Sequence, residues 1–106
     1  MTYVGELKRP IGRGRYKVVV LLNEAGPSSG DWTIDTGLNS IVGVIISLRT
    51  APDTDNTVYK VEYSISGGTI TITVKSLDVT ASAPVSWTEV TGDRTGFAVD
   101  IIAIGY

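Results

Sequence analysis

Short runs rich in Val, Ile and Thr, separated by Gly, Pro, Asn, Asp and Ser, extend along nearly the whole chain. These β-branched residues favour strands because their side chains pack well on a pleated surface. No segment combines helical spacing of apolar residues with helix caps. The pattern therefore predicts eight strands, at residues 2–7, 15–23, 31–35, 40–49, 58–66, 69–75, 85–90 and 97–104.

The segment 58–75 gives the clearest prediction, a hairpin whose two strands are joined by Gly67-Gly68. Glycine suits a two-residue turn because it adopts positive φ at little cost. In the second strand Ile and Val alternate with Thr, which indicates one buried and one solvated face. By contrast, 15–23, 40–49 and 97–104 are apolar on both faces, so we expect them at the centre of a sheet.

Strands at this spacing, without helices, predict an all-β fold: a single-domain antiparallel β-sandwich of about eight strands. A length of 106 residues fits one domain. Pro10, Gly12 and Gly14 interrupt the N-terminal part of the chain. We therefore expect a basic N-terminal arm at 1–14 and the sandwich at 15–106.

The charged fraction of 19% is low beside a hydrophobic fraction of 42%, since small soluble domains usually have about 25% charged residues. Such a chain is expected to cover surface with other subunits, which predicts a homo-oligomer. The formal charge of −2 gives no general attraction to nucleic acid or to an anionic membrane. No apolar run approaches the roughly 20 residues of a spanning helix, and the N-terminal residues lack a signal-peptide pattern. Synthesis in a cytoplasm without standard export is expected.

The chain contains neither cysteine nor histidine. This excludes thiolate catalysis, Ser-His triads and the usual zinc sites, and leaves carboxylates, Lys, Tyr, Ser and Thr for any chemistry. The run Asp53-Thr54-Asp55-Asn56 resembles the start of a calcium loop, but the central Gly and the terminal Glu of an EF-hand are missing. A solvated turn is the simpler interpretation, and we expect no metal and no cofactor.

The tripeptide Asp35-Thr36-Gly37 has two interpretations. It is the signature of a retropepsin-like aspartic protease, in which two subunits bring two such carboxylates together to share a proton and activate water. That family places Ala or Ser where this chain has Leu38, and its second apolar-apolar-Gly segment precedes a helix. The best match to that segment, 103–105, is followed only by Tyr106. The other interpretation, a turn opened by Asp35 in a protein that is not an enzyme, is therefore favoured.

Five of the nine basic residues fall within ten positions, and they are Lys8, Arg9, Arg13, Arg15 and Lys17. One interpretation is a flexible segment that docks on an acidic protein partner by charge complementarity. The other is an exposed basic loop without a partner. Contact with nucleic acid is disfavoured because few aromatic residues are interleaved with these charges.

Trp32 and Trp87 are candidate residues for a glycan-binding platform, since aromatic faces stack on the C–H surfaces of sugars. Tyr59 and Tyr63 are further aromatic residues that could join them. Nothing in their spacing brings these side chains together. Packing in the core or in an interface is the more common use of such residues.

Four segments form a set: WTIDTGL at 32–38, IVGVIISL at 41–48, GTITITV at 68–74 and FAVDIIAIG at 97–105. In this order they resemble small tailed-phage proteins encoded among virion genes. Some proteins of this kind have an H-type-lectin-like β-sandwich, and others are capsid decoration or cement proteins. The resemblance covers roughly residues 30–105, implies a virion structural role and transfers no catalytic residue.

The sequence thus leads to a non-enzymatic phage virion protein, made in the host cytoplasm and located on the capsid surface. Its expected role is that of a decoration or cement subunit, a homotrimer bound across copies of the major capsid protein. A tail or spike subunit with a lectin-like glycan-binding face is the alternative. A dimeric aspartic protease using Asp35 is the remote one.

Overall fold

The computed structural model describes residues 2–6, 16–53, 56–80 and 86–106, and for residues 2–6 it describes the backbone. The described strands are β1 (Thr2–Glu6), β2 (Lys17–Ala25), β3 (Trp32–Asp35), β4 (Ile41–Thr50), β5 (Thr57–Ser66), β6 (Thr69–Asp78), β7 (Thr88–Glu89) and β8 (Ala98–Gly105). All of them pair antiparallel, in two sheets that pack face to face. The predicted all-β antiparallel sandwich is confirmed. No helix long and apolar enough to cross a membrane occurs in these described ranges.

Sheet A has the strand order β1-β2-β8-β4. β2 and β8 are central, as their apolar pattern predicts, but β4 lies at the edge of the sheet, so the expectation of a central position for 40–49 is wrong. β4 is irregular there, with register shifts between Ile41 and Gly43 and between Leu48 and Thr50. β1 pairs with β2 over five residues, so residues 2–6 belong to sheet A, while the remainder of the expected 1–14 arm lies outside the described residues.

Sheet B has the order β3-β6-β5, and β7 also pairs with β6. β5 and β6 form the predicted hairpin, with ten residue pairs in one unbroken register. β3 and β7 share the opposite side of β6: β3 lies along Thr69–Ile72, and β7 lies along Lys75 and Ser76. Two short segments that are distant in sequence therefore complete one side of the sheet.

The core lies between the sheets and comes from alternate positions of the central strands. Its fully buried side chains are Val19 of β2, Ile70, Ile72 and Val74 of β6, and Val99, Ile101 and Ala103 of β8. Each buried aliphatic side chain the size of Val or Ile contributes about 1.5–3 kcal/mol to the free energy of unfolding. Tyr59 closes one end of the core by an edge-to-face contact with Phe97, with ring centroids 5.0 Å apart.

Arg94 organises the loops at one end of the sandwich. Its side chain is buried, and its guanidinium donates to the carbonyl oxygens of Gly30 and of Gly92. Its backbone N–H donates to the carbonyl oxygen of Pro27 at 2.8 Å. A guanidinium has five donors in a fixed plane, so one side chain ties two loops together.

Candidate functional site

The Asp-Thr-Gly motif begins at the last residue of β3. Gly37 N–H donates to Asp35 Oδ1 at 2.9 Å, and Gly37 has φ +78°. An aspartate that accepts the N–H two residues later forms an Asx turn, and glycine takes the left-handed conformation that follows. The Asp35 side chain is exposed and is engaged with its own turn. This is the geometry of a turn-forming aspartate.

Thr36 connects this turn to the β5–β6 hairpin by hydrogen bonds. Its buried hydroxyl donates to the Gly68 carbonyl oxygen at 2.7 Å and accepts the Leu38 N–H at 3.2 Å. The Thr36 N–H donates to the same carbonyl oxygen at 3.0 Å. The backbones are so close that a Cβ on Gly68 would overlap the Leu38 carbonyl oxygen. The motif therefore joins two turns that are distant in sequence.

Of the predicted partner-binding residues, Lys8, Arg9, Arg13 and Arg15 lie outside the described residues. Lys17 is the first residue of β2, is exposed, and is paired in register with Gly105 of β8. By the alternation of the strand its side chain is on the side of Val19 and Leu21, at the end of β2, whereas Val18 is on the outer face of sheet A. The docking role of these five residues stays a prediction.

The structure separates the two candidate glycan-binding tryptophans. Trp32 is 3% exposed and belongs to the core opposite Ile72, so its ring has no face for a sugar, and this residue is corrected from a binding to a packing role. Trp87 is 38% exposed and precedes β7. Its ring lies under the Lys60 ammonium, with Nζ 4.6 Å from the ring centroid.

Lys60, which contacts Trp87, belongs to a network of charged side chains on the outer face of sheet B. Glu62 pairs with Lys75 at 3.2 Å and with Lys60 at 3.3 Å. The bond from Lys75, followed by that from Lys60, holds the pKa of Glu62 below its ordinary value. Glu89 of β7 is exposed and is paired in register with Lys75, on the side of β6 that is away from β5. We call these five residues the Trp87 cluster.

The outer face of sheet A is aliphatic. Val20, Ile102 and Ile45 lie side by side across β2, β8 and β4, and directly opposite residues share a face. Ile45 is 66% exposed and Ile102 is 39% exposed. Val18 and Ile104 form the next row, which ends at Gly43. We call these five side chains (Val18, Val20, Ile45, Ile102 and Ile104) the aliphatic face.

A polar group borders this face at the start of β8. Asp100 accepts the N–H of Asn23 at 2.9 Å and the Nε–H of Arg49 at 2.8 Å. The bond from Asn23, supported by Arg49, lowers the pKa of Asp100 from its ordinary value. Asn23 lies at the β2 irregularity and has φ +57°, so the carboxylate also holds a left-handed residue in place.

Sequence reasoning missed the Trp87 cluster and the exposure of the aliphatic face. The sequence did contain a signal for the aliphatic face, because three strands are apolar on both faces. That pattern was interpreted as a central position in a sheet and not as an exposed apolar surface. The resemblance of residues 53–56 to a calcium loop stays untested, because residues 54–55 lie outside the described residues. Within the described part of the chain, no three acidic side chains are grouped so that they could hold a metal ion.

The comparisons with known proteins add no relative to this description. Neither the protein-family models, nor the curated proteins, nor the solved structures gave a match to this chain. The functional argument therefore rests on the geometry of its own residues.

Proposed function

We propose that this protein is a non-enzymatic structural subunit of a tailed-phage virion. It is a capsid decoration or cement subunit, and its aliphatic face binds across neighbouring copies of the major capsid protein. The observation that supports this most is the row Val20–Ile102–Ile45, in which the outermost side chain is 66% exposed.

An exposed row of this kind favours association. Single apolar residues are common on the surfaces of monomers, but contiguous apolar patches are typical of interaction sites. Complete burial of one aliphatic side chain contributes about 1.5–3 kcal/mol. Covering Ile45 and Ile102, which are each partly buried already, therefore contributes on the order of 1 kcal/mol apiece.

Modest affinity at each site is sufficient for a cement role. A capsid offers many identical sites, and a homotrimer binds through three copies at once, so the effective concentration of the second and third contacts is high. Lys17 precedes Val18 of the aliphatic face in the chain and continues the basic segment that contains Lys8, Arg9, Arg13 and Arg15. An acidic rim on the capsid protein would complement these charges and direct the docking.

The experiment is a binding titration to phage particles that lack this chain. Ile45→Lys places a charge in the aliphatic face, and we expect it to weaken binding by at least about tenfold, since the charge must be desolvated. Val58→Lys is the matched control, because Val58 is 44% exposed on a strand of the other sheet. Both variants should keep the wild-type unfolding midpoint. Equal binding by wild type and Ile45→Lys would contradict the proposed surface.

A second candidate function rests on the Trp87 cluster. A partly exposed indole beside Lys60, whose charged network continues to Glu62 and Lys75, offers a stacking surface and hydrogen-bonding groups on one face of the sheet, which is the combination that sugars require. In that case the protein would be a tail or spike subunit. Glycan-array binding that is lost in Trp87→Ala but kept in Ile45→Lys would favour this alternative over the cement role.

A further inference from the structure

The outer face of sheet A continues beyond the aliphatic face into a pair of tyrosines. Lys17 of β2 is paired in register with Gly105 of β8. The residues next to them in this register, Tyr16 and Tyr106, are therefore opposite each other, and the alternation of the strands puts them on the same face as Ile104. Their rings are in contact, with centroids 5.6 Å apart and planes tilted by 42°. The outer face thus has an aromatic row at one end of its aliphatic rows.

Tyr106 is exposed, yet its backbone is held in place. Its carbonyl oxygen accepts the N–H groups of Asn39 at 2.7 Å and of Ser40 at 2.9 Å, and its own N–H donates to the Ser40 carbonyl oxygen at 3.0 Å. The residue is 49% exposed and has the Tyr16 ring beside it. An aromatic side chain on a fixed backbone loses little conformational freedom when a partner covers it. Tyr106 therefore combines exposed aromatic area with a low entropic cost of binding.

The opposite end of the same face is charged. Asp100 shares the outer face of β8 with Ile102, and it accepts the Nε–H of Arg49. It lies six residues before Tyr106, or about 20 Å along the strand. The face therefore runs from an aromatic row through the aliphatic rows to an ion pair, and its two ends differ in chemistry.

We propose that Tyr16 and Tyr106 are the anchor residues of the docking surface and that they fix the direction in which the partner lies on it. This inference rests on the proposed function, in which the partner is the major capsid protein. The aromatic row is continuous with the aliphatic face, so one partner covers both. Tyrosine is among the residues that most often dominate an interface, because one ring buries a large apolar area while its hydroxyl makes a hydrogen bond.

The anchor also specifies the chemistry of the capsid surface that it meets. That surface is apolar where it covers the rings and the aliphatic face. Opposite the hydroxyls of Tyr16 and Tyr106 it presents a hydrogen-bond acceptor, a backbone carbonyl oxygen or a carboxylate, because a hydroxyl that is covered needs a partner. Opposite Asp100 and Arg49 it is polar, since an apolar group there would desolvate the ion pair without replacing the water.

Two substitutions at one position separate the ring from its hydroxyl in a binding titration to phage particles that lack this chain. Tyr106→Ala should weaken binding by at least about tenfold. Tyr106→Phe keeps the ring and loses the hydroxyl, so binding should weaken by about two- to tenfold, the net effect of one hydrogen bond. Tyr63→Ala is the matched control, because Tyr63 is 46% exposed on a strand of sheet B, and it should bind like the wild type. The backbone bonds of Tyr106 do not involve its side chain, so both Tyr106 variants should fold, and their unfolding midpoints verify this.

A photo-reactive benzoylphenylalanine at position 106 identifies the partner directly. On decorated particles it should become attached to the major capsid protein, whereas the same group at position 63 should not. Attachment to a second copy of this chain would overturn the anchor. So would a Tyr106→Ala protein that binds like the wild type while Ile45→Lys is weakened, and the proposed virion role would then stand without it. If Ile45→Lys also binds like the wild type, the whole docking surface is wrong.

Discussion

The hydroxyl of Thr36 donates a hydrogen bond to the carbonyl oxygen of Gly68 at 2.7 Å, and the two residues are 32 positions apart in the chain. This bond joins the Asp-Thr-Gly turn after β3 to the two-residue turn of the β5–β6 hairpin. Each residue of the motif has a structural role, since Asp35 caps the turn, Thr36 bridges to the hairpin, and Gly37 takes the left-handed conformation. All three residues of the motif therefore contribute to holding the two turns together.

Thr36→Val should lower the free energy of unfolding by about 1–2 kcal/mol. Valine has nearly the shape of threonine, but it cannot accept the Leu38 N–H or donate to Gly68. Chemical denaturation measures the loss. Thr33→Val is the matched control on the exposed side of β3, where we expect a change within about 0.5 kcal/mol. Equal effects of the two substitutions would show that the bridge contributes nothing.

Gly68→Ala should destabilise the fold by about 3 kcal/mol, since the new Cβ would overlap the Leu38 carbonyl oxygen and the backbone must move. Gly43→Ala serves as the control, because a Cβ at Gly43 has no atom within 4 Å. The thermal midpoints of the two variants give the comparison. A Gly68→Ala protein as stable as the wild type would mean that the two turns are not packed as described.

Much of the fold follows from local pattern, because the alternation in β6 and the Gly67-Gly68 turn act on neighbouring residues. The order of the strands within a sheet does not follow from local pattern. β4 and β8 are both apolar on two faces, yet β8 is central and β4 is at the edge. The apolar side chains of Val42 and Ile45 on β4 are exposed to solvent instead of being covered. No local rule in the sequence distinguishes β4 from β8.

The candidate sites were harder to predict than the strands. Trp32 and Trp87 are the same residue type in similar surroundings of sequence, but one lies in the core and the other on the surface. The side chains of the Trp87 cluster come from β5, β6 and the segment around β7, so only the tertiary pairing brings them together. Arg94 looks in the sequence like one more surface charge, whereas its loop contacts bury it.

Asp35→Asn should leave function intact and cost at most about 1 kcal/mol of stability, because the asparagine side-chain oxygen can accept the same Gly37 N–H. The aspartic-protease alternative makes the opposite prediction. Peptidase assays on the wild type and the variant, with and without pepstatin, discriminate between them. A pepstatin-sensitive activity that disappears in Asp35→Asn would establish the enzyme.

Asp100 should contribute to the loss of stability in acid. Its pKa in the folded chain is below the ordinary value of 3.8, mainly through the Asn23 N–H and further through Arg49. Between the two pKa values the unfolded state binds more protons, so this contribution is present above pH 3.8 and is lost as the pH falls through the folded pKa.

The variant Asp100→Asn should therefore show a flatter decline of stability below about pH 4 than the wild type. Arg49→Gln should change the decline less, because it leaves the bond from Asn23 in place. Unfolding midpoints measured from about pH 2 to about pH 7 test the order. An unchanged acid decline in Asp100→Asn would show that this carboxylate is not held in the folded state.

The most direct test of the virion role is an image reconstruction of particles of the phage that encodes this chain, with mass spectrometry to count its copies. We expect the chain on the outside of the capsid in a fixed ratio to the major capsid protein, with Ile45 and Ile102 buried against that protein. Particles without the chain, or with these two side chains facing solvent, would contradict the account.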